Sequence, residues 1–331
     1  MRTALCDLLC IEIPIIQAPM GGSGFVTRLA AAVCNAGGLG TLHLWRSDIA
    51  MVQKEIRELK SLTDRPFAVN LNMAFPQEER LEACLQEGVP VVSFFWGDPG
   101  GLVERAKDRG ARVLHSVGSP EEALLSVQRG VDVIVAQGWE AGGHVRGQVA
   151  TMALVPALVD AVAPLPVVAA GGIADGRGMA AALALGASGV WIGTRFLGSA
   201  EVRLHPRYRE RLLDASATDT VYLDNLYDIG WPDAPHRVLR NKVVDAWEAA
   251  GRPVSGQRPG EGEVVARSKA LGEAVRYRPF MPSADVEGDI DSLPMWAGQG
   301  VGLVNKIMPA AEILHEIHDD ASAILHRLAG R

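Results

Sequence analysis

The residues of this chain best suited to chemistry are a histidine that follows two glycines and the glycine pairs that end apolar runs. His144 comes directly after Gly142-Gly143. Paired glycines let a backbone lie close to a flat ligand, and an imidazole titrates near neutral pH, which suits a general acid or base. Gly171-Gly172 and Gly193-Thr194 follow two successive apolar runs. Backbone N–H groups that approach an anion there, with the next helix N-terminus behind them, form a cup for a phosphate group. Either pair alone reads equally well as a tight turn; two pairs at successive strand ends favour the cup. Asn70 and Gln137 sit at the ends of two further runs, where an amide suits the hydrogen-bonding edge of a planar heterocycle. Glu140 and Arg146 flank His144 and suit orienting groups, substrate contacts or solvated charges alike. Most of the other histidines, His43, His115, His205, His236, His315, His318 and His326, read as residues of surface loops or helix surfaces.

The elements that must position these residues repeat one unit: a short β-branched apolar run, a turn, then an alanine- or leucine-rich helical stretch. The runs are 13–18, 38–42, 67–71, 89–95, 112–117, 131–137, 166–170 and 189–193, with helical patterns between them at 28–36, 49–62, 78–87, 102–109, 120–129, 152–162 and 178–185. Near-continuous apolar runs are strands buried on both faces, and parallel strands need crossover helices. Eight units and late phosphate-type glycines predict a closed (β/α)8 TIM barrel over an open doubly wound sheet, whose glycines usually follow the first strand. The expected division is a barrel over 1–214, a smaller, mainly helical insertion or substrate-side subdomain over 215–280, and a C-terminal loop and helix over 281–331 that returns to the barrel. Gly298-Gln299-Gly300-Val301-Gly302 follows no strand, so it reads as a loop folding over the barrel mouth and not as a dinucleotide fingerprint.

Composition excludes several classes. The chain has 331 residues, is 48% hydrophobic and carries a formal net charge of −7, so it can bury a large core and offers no basic face to nucleic acid or anionic lipid. Cys6, Cys10, Cys34 and Cys84 lack CxxC spacing, and no carboxylate or Cys/His cluster has metal-ligand spacing. The N-terminus lacks a secretory pattern, and the longest apolar stretch, 155–174, is broken by Pro156, Asp160, Pro164 and Pro166, so a cytoplasmic protein without membrane spans is expected. A homodimer is compatible with the sequence, but no residue pattern argues for one.

The order of Gln17-Ala18-Pro19-Met20, Asn35-Ala36-Gly37-Gly38-Leu39-Gly40, Phe67-Ala68-Val69-Asn70-Leu71-Asn72, Gln137-Gly138-Trp139-Glu140-Ala141-Gly142-Gly143-His144, Ala169-Ala170-Gly171-Gly172-Ile173-Ala174-Asp175-Gly176, Gly193-Thr194-Arg195-Phe196 and Ala297-Gly298-Gln299 resembles the nitronate monooxygenase family over nearly the whole chain. It is similar also to their relatives, the FMN-dependent enoyl-acyl-carrier-protein reductases. The resemblance implies FMN bound non-covalently, with Ala18, Pro19, Met20, Asn70, Gln137, Gly142, Gly143, Gly171, Gly172, Trp191, Ile192, Gly193, Thr194 and Gln299 at the flavin and His144 beside the reactive ring. It implies oxidation of alkyl nitronates, or of nitroalkanes, by molecular oxygen, with His144 removing the α-proton or stabilising the bound nitronate. The same motifs serve NAD(P)H-dependent reduction of enoyl-acyl-carrier-protein or quinones, and a flavin-binding protein without turnover also stays open. A carrier protein is acidic, so Arg237, Arg240 and Lys242 are candidates for a docking patch, or form a solvated cationic helix. Two positions depart from the family pattern: Val145 separates His144 from Arg146, and Trp191 stands where many members carry Gln.

Overall fold

The eight apolar runs become eight parallel strands. The computed structural model describes residues 1–21 and 26–330; Gly22, which follows the first strand in sequence, lies outside them. The strands are β1 (Ile15–Gln17), β2 (Thr41–His43), β3 (Ala68–Asn72), β4 (Val91–Phe95), β5 (Arg112–Val117) and β6 (Val133–Gln137), then, after a two-residue strand β7 (Gly143–His144), β8 (Val167–Ala170) and β9 (Gly189–Ile192). Their order in the sheet is β1-β9-β8-β6-β5-β4-β3-β2. A parallel bridge between Ile16 and Leu39 closes it into a (β/α)8 barrel. Gln17 braces this thin seam: its side-chain carbonyl accepts the Thr41 N–H at 3.0 Å and its amide N–H donates to the Thr41 carbonyl at 3.3 Å.

Side chains alternate across each strand, so one set packs outward and the other fills the barrel. Val69, Val92 and Val113 join the outer helices in the larger core, whereas Ala68, Val91 and Leu114 fill the interior. The first helix, Ala4–Leu9, plugs the N-terminal end of the barrel with Leu5, Cys6 and Leu9. All four cysteines are free thiols; burial pushes Cys34 and Cys84 up to about 12, which keeps them unreactive. With its base filled, the barrel is left with one end, the carboxyl ends of the strands, for a ligand.

The segment 215–280, expected to be mainly helical, is not. It holds one α-helix, Lys242–Ala249, a 3-10 turn, and four short strands: β10 (Thr220–Leu223), β11 (His236–Leu239), β12 (Val264–Ser268) and β13 (Gly272–Val275). The reason lies in distant partners. β11 pairs antiparallel with β10 on one side and with β7 on the other, so that His236 lies opposite His144. β12 pairs with β13 and with β14 (Val286–Gly288). An inward ion pair pins the segment: Arg258 Nη1 and Nη2 reach the two oxygens of Asp228 at 2.7 and 2.9 Å, and Nη1 also donates to the Leu226 carbonyl at 2.9 Å.

The glycine segment after residue 297 does fold back over the mouth. It forms a 3-10 turn, Gln299–Leu303, and the closing helix Ala310–Leu328 packs on the helix Gly176–Ala184 that follows β8. Among the described residues no helix is long and apolar enough to cross a membrane, and no His, Cys, Asp or Glu cluster could hold a metal.

Candidate active site

A cavity of about 690 Å³ opens at the carboxyl ends of the strands. Ala18, Pro19, Met20, Asn70, Gln137, Gly142, Gly143, His144, Gly171, Gly172, Trp191, Gly193 and Thr194 all line it, so the structure brings together residues spread over most of the chain. Two of the expected residues do not line it. Ile192 is buried in the outer core, on the far side of its strand from Trp191, and Gln299 contributes a backbone N–H that donates to the Glu140 carbonyl at 2.9 Å. Gly298 and Gly300 take the wall position instead.

Gly171 and Gly172 turn the chain after β8 with φ of 103° and 72°, a left-handed conformation that glycine adopts without strain. A Cβ on Gly171 would also lie 2.9 Å from the Gly138 carbonyl oxygen. The N–H groups of Gly171, Gly172 and Ile173 make no hydrogen bond to described residues, which leaves them for an anion. The helix behind this turn adds less than expected, because Asp175 already caps it by accepting the Arg177 and Gly178 N–H groups. After β9, by contrast, the four-residue helix Thr194–Leu197 starts directly at Gly193. The cavity wall therefore carries loop N–H groups from one strand end beside a helical turn from the next.

His144 is held by the backbone of the 215–280 segment. Its Nδ1 lies 3.2 Å from the Ala234 carbonyl oxygen, and His236 Nδ1 lies 2.9 Å from the same oxygen. A carbonyl only accepts, so both rings carry their proton on Nδ1 and leave Nε2 as an acceptor. The Tyr227 N–H donates to Nε2 of His236 at 3.4 Å, and the indole N–H of Trp45 donates to Nε2 of His43. Of the three imidazoles in this region, only His144 keeps an Nε2 that no described residue engages. Trp231 lies 3.9 Å from its ring centroid and Trp296 5.4 Å. Burial among these rings, then the neighbouring His236, holds the His144 pKa well below 6.5, so the imidazole is neutral.

The neighbours of His144 have structural work. Both atoms of the Gln137 amide engage the loop: Nε2 donates to the His144 carbonyl and Oε1 accepts the Arg146 N–H, each at 3.0 Å. Glu140 caps the helix Thr151–Val162 by accepting the Thr151 N–H and hydroxyl, and Arg146 pairs with Glu122 at 2.7 Å. Val145 is fully buried, its N–H donating to the Pro235 carbonyl at 2.8 Å, so the extra residue serves as a strand contact. Asn70 donates to Ser93 and is buried.

Sequence reasoning missed much of the wall. Trp45, Trp231, Trp296, Asn72 and His43 line the cavity, as do Arg46 and Arg278. Asn72 offers a signal that could have been found, since it closes the Asn70-Leu71-Asn72 strand end on the same face as Asn70; its buried amide nitrogen lacks a partner among described residues. The aromatic residues carry no such pattern. The residues weighed as a docking patch or a solvated cationic helix are otherwise engaged: Arg237 is buried against the Trp139 ring, Arg240 pairs with Asp245 and Glu248, and Lys242 pairs with Asp289.

Two histidines expected on the surface, His115 and His236, are buried, and desolvation lowers both from 6.5 to about 4. Above pH 6.5 neither the folded nor the unfolded chain protonates them, and their stabilising contribution is complete. As pH falls from 6.5 toward 4 the unfolded chain takes up protons that the fold refuses, so stability falls by roughly 3 kcal/mol for each ring. The urea midpoint is expected to drop over this interval, and less steeply in His115→Gln. A midpoint that stays level between those two pH values would show that the rings are not held neutral.

A family model described as nitronate monooxygenase matches residues 2–79 and 71–320. A nitronate monooxygenase of Pseudomonas aeruginosa is 37% identical, over 97% of this chain and 99% of its own. A (3aS,4S,5R,7aS)-5-hydroxy-7a-methyl-1-oxo-octahydro-1H-indene-4-carboxyl-CoA dehydrogenase of Mycobacterium tuberculosis is 40% identical, over 76% of this chain and 70% of its own. Among solved structures, FabK from Thermotoga maritima superposes with a TM-score of 0.80 at 33% identity, covering 100% of this chain and 99% of its own.

Proposed function

Since this chain belongs to the nitronate monooxygenase family and is a flavin-dependent oxidoreductase, we propose that it binds FMN in the cavity and oxidises alkyl nitronates with molecular oxygen. One observation carries the reading: among the neighbouring imidazoles, all held neutral, His144 is the one whose Nε2 no described residue engages, and it lines the cavity. That atom takes the α-proton of a nitroalkane or, once protonated, holds a nitronate oxygen. FMN, when bound, supplies the electron chemistry. The residues fit it: the free N–H groups at Gly171 and Gly172, with Gly193 and Thr194, suit a phosphate, and the unpartnered Asn72 amide nitrogen and Asn70 suit a heterocycle edge. Ala18, Pro19, Met20 and Trp191 supply flat or apolar wall for the ring, and the 215–280 segment forms the substrate side, orienting His144 through Ala234 and excluding water with Trp231.

The likeness to FabK favours a second reading, in which NAD(P)H reduces the flavin and the substrate is an enoyl thioester or a quinone. Anaerobic mixing of the yellow protein with an alkyl nitronate and, separately, with NADH and NADPH separates the two. Bleaching by the nitronate with no response to either nicotinamide is the expected result. Rapid bleaching by a nicotinamide and none by the nitronate would overturn the monooxygenase reading in favour of the reductase.

A further inference from the structure

We propose that Arg46 and Arg278 form an oxyanion subsite at the rim of the cavity, which takes a phosphate or carboxylate that the substrate carries away from its reacting carbon. Both side chains line the cavity and both are exposed. Neither forms an ion pair with a described residue, although the chain holds 39 acidic side chains against 32 basic ones. The carboxylates on the same wall are committed elsewhere: Asp48 caps the helix Ile49–Leu62 by accepting the Met51 N–H, Glu55 accepts the Thr27 hydroxyl, and Glu273 pairs with Arg267.

Arg46 is already held in place. Its guanidinium carbon lies 4.7 Å from the Trp45 ring centroid and 5.2 Å from that of Phe75, and Nη2 donates to the Gly230 carbonyl at 3.0 Å. A planar donor fork fixed over two rings loses little freedom when it binds an oxyanion. Burial first and then repulsion from Arg278 lower the pKa of Arg46, and an anion held on this wall relieves that repulsion. From Arg46 the wall runs through Trp45 to Trp231, 5.3 Å away, and from Trp231 to His144. A ligand along this path has an oxyanion at the rim, an apolar or flat middle, and its reacting carbon beside His144.

The subsite rests on the reading of the cavity as a substrate site, and its test uses probes that do not turn over, so the two can fail separately. Titration calorimetry of the FMN-saturated protein with inorganic pyrophosphate and with succinate is the experiment. Saturable binding of one probe is expected, weakened at least tenfold in Arg46→Ala and in Arg278→Ala, less in Arg46→Lys, and weakened by added salt. Binding of pyrophosphate alone assigns a phosphate-bearing substrate; binding of succinate alone assigns a carboxylate-bearing one. Absence of saturable binding, or equal affinity in the native protein and both alanine variants, would overturn the proposal. Retained flavin absorbance in each variant shows that the barrel and its cofactor survive the substitution.

Discussion

Replacement of His144 by alanine is expected to lower nitronate turnover by about 10²–10⁴-fold while the purified protein stays yellow. The magnitude is that of a positioned acid–base group, and the retained colour follows from geometry: the cup at Gly171, Gly172, Gly193 and Thr194 touches no atom of the imidazole's hydrogen-bond set. His144→Gln, which keeps a donor toward Ala234 but has no titrating nitrogen, is expected to fall as far. The pH profile gives a second check. A base whose pKa lies well below 6.5 is already neutral at pH 6.5, so the acid limb of kcat belongs well below that value and disappears in both variants. Wild-type turnover in His144→Ala would remove the base from the mechanism, and colourless protein would place the ring in cofactor binding instead.

Asp228→Asn is expected to destabilise the protein by about 3–5 kcal/mol, because it takes the bidentate partner from the buried Arg258 guanidinium and leaves only Glu261, 4.0 Å away, as a counter-charge. For a chain of this size that corresponds to a fall in Tm of roughly 4–7 °C. The side chains are 1% and 8% exposed, so solvent screens little of the loss. The double variant Asp228→Leu, Arg258→Met is expected to recover most of it, since removing both charges removes the desolvation along with the attraction. Turnover in Asp228→Asn is expected to fall with stability, because the same segment carries Ala234 and His236. A thermal melt of the three proteins decides: equal Tm for the single and double variants would mean that the pair's charge is not what holds the segment.

The barrel was legible for a physical reason. A strand covered on both faces must be largely apolar on both, so β3 to β6 announce themselves as near-continuous runs, and the eight elements fall within a few residues of their expected positions. His144 and the glycine pairs were legible because their meaning is local: a positive φ or a close approach selects glycine at one position. The 215–280 segment was not legible, because its strands are only four or five residues long, and each of its two hairpin pairs is completed by a strand outside the segment, β7 or β14. His236 and Arg237 looked like surface residues for the same reason; the Trp296 and Trp139 rings that cover them are set by tertiary contact. The rim arginines share this opacity, since a charge shows itself as unpaired only once every neighbour is in place.

The group that orients the His144 imidazole is a main-chain carbonyl, and the next residue, Pro235, offers its own carbonyl to Val145. Proline biases the residue before it toward an extended backbone, so the path through Ala234 is set by a ring that touches no substrate. An alanine scan of the cavity would therefore pass over the group that decides the proton's position on the base. The tautomer of His144 is thereby insulated from the side chains around the ring and answers to the course of the backbone.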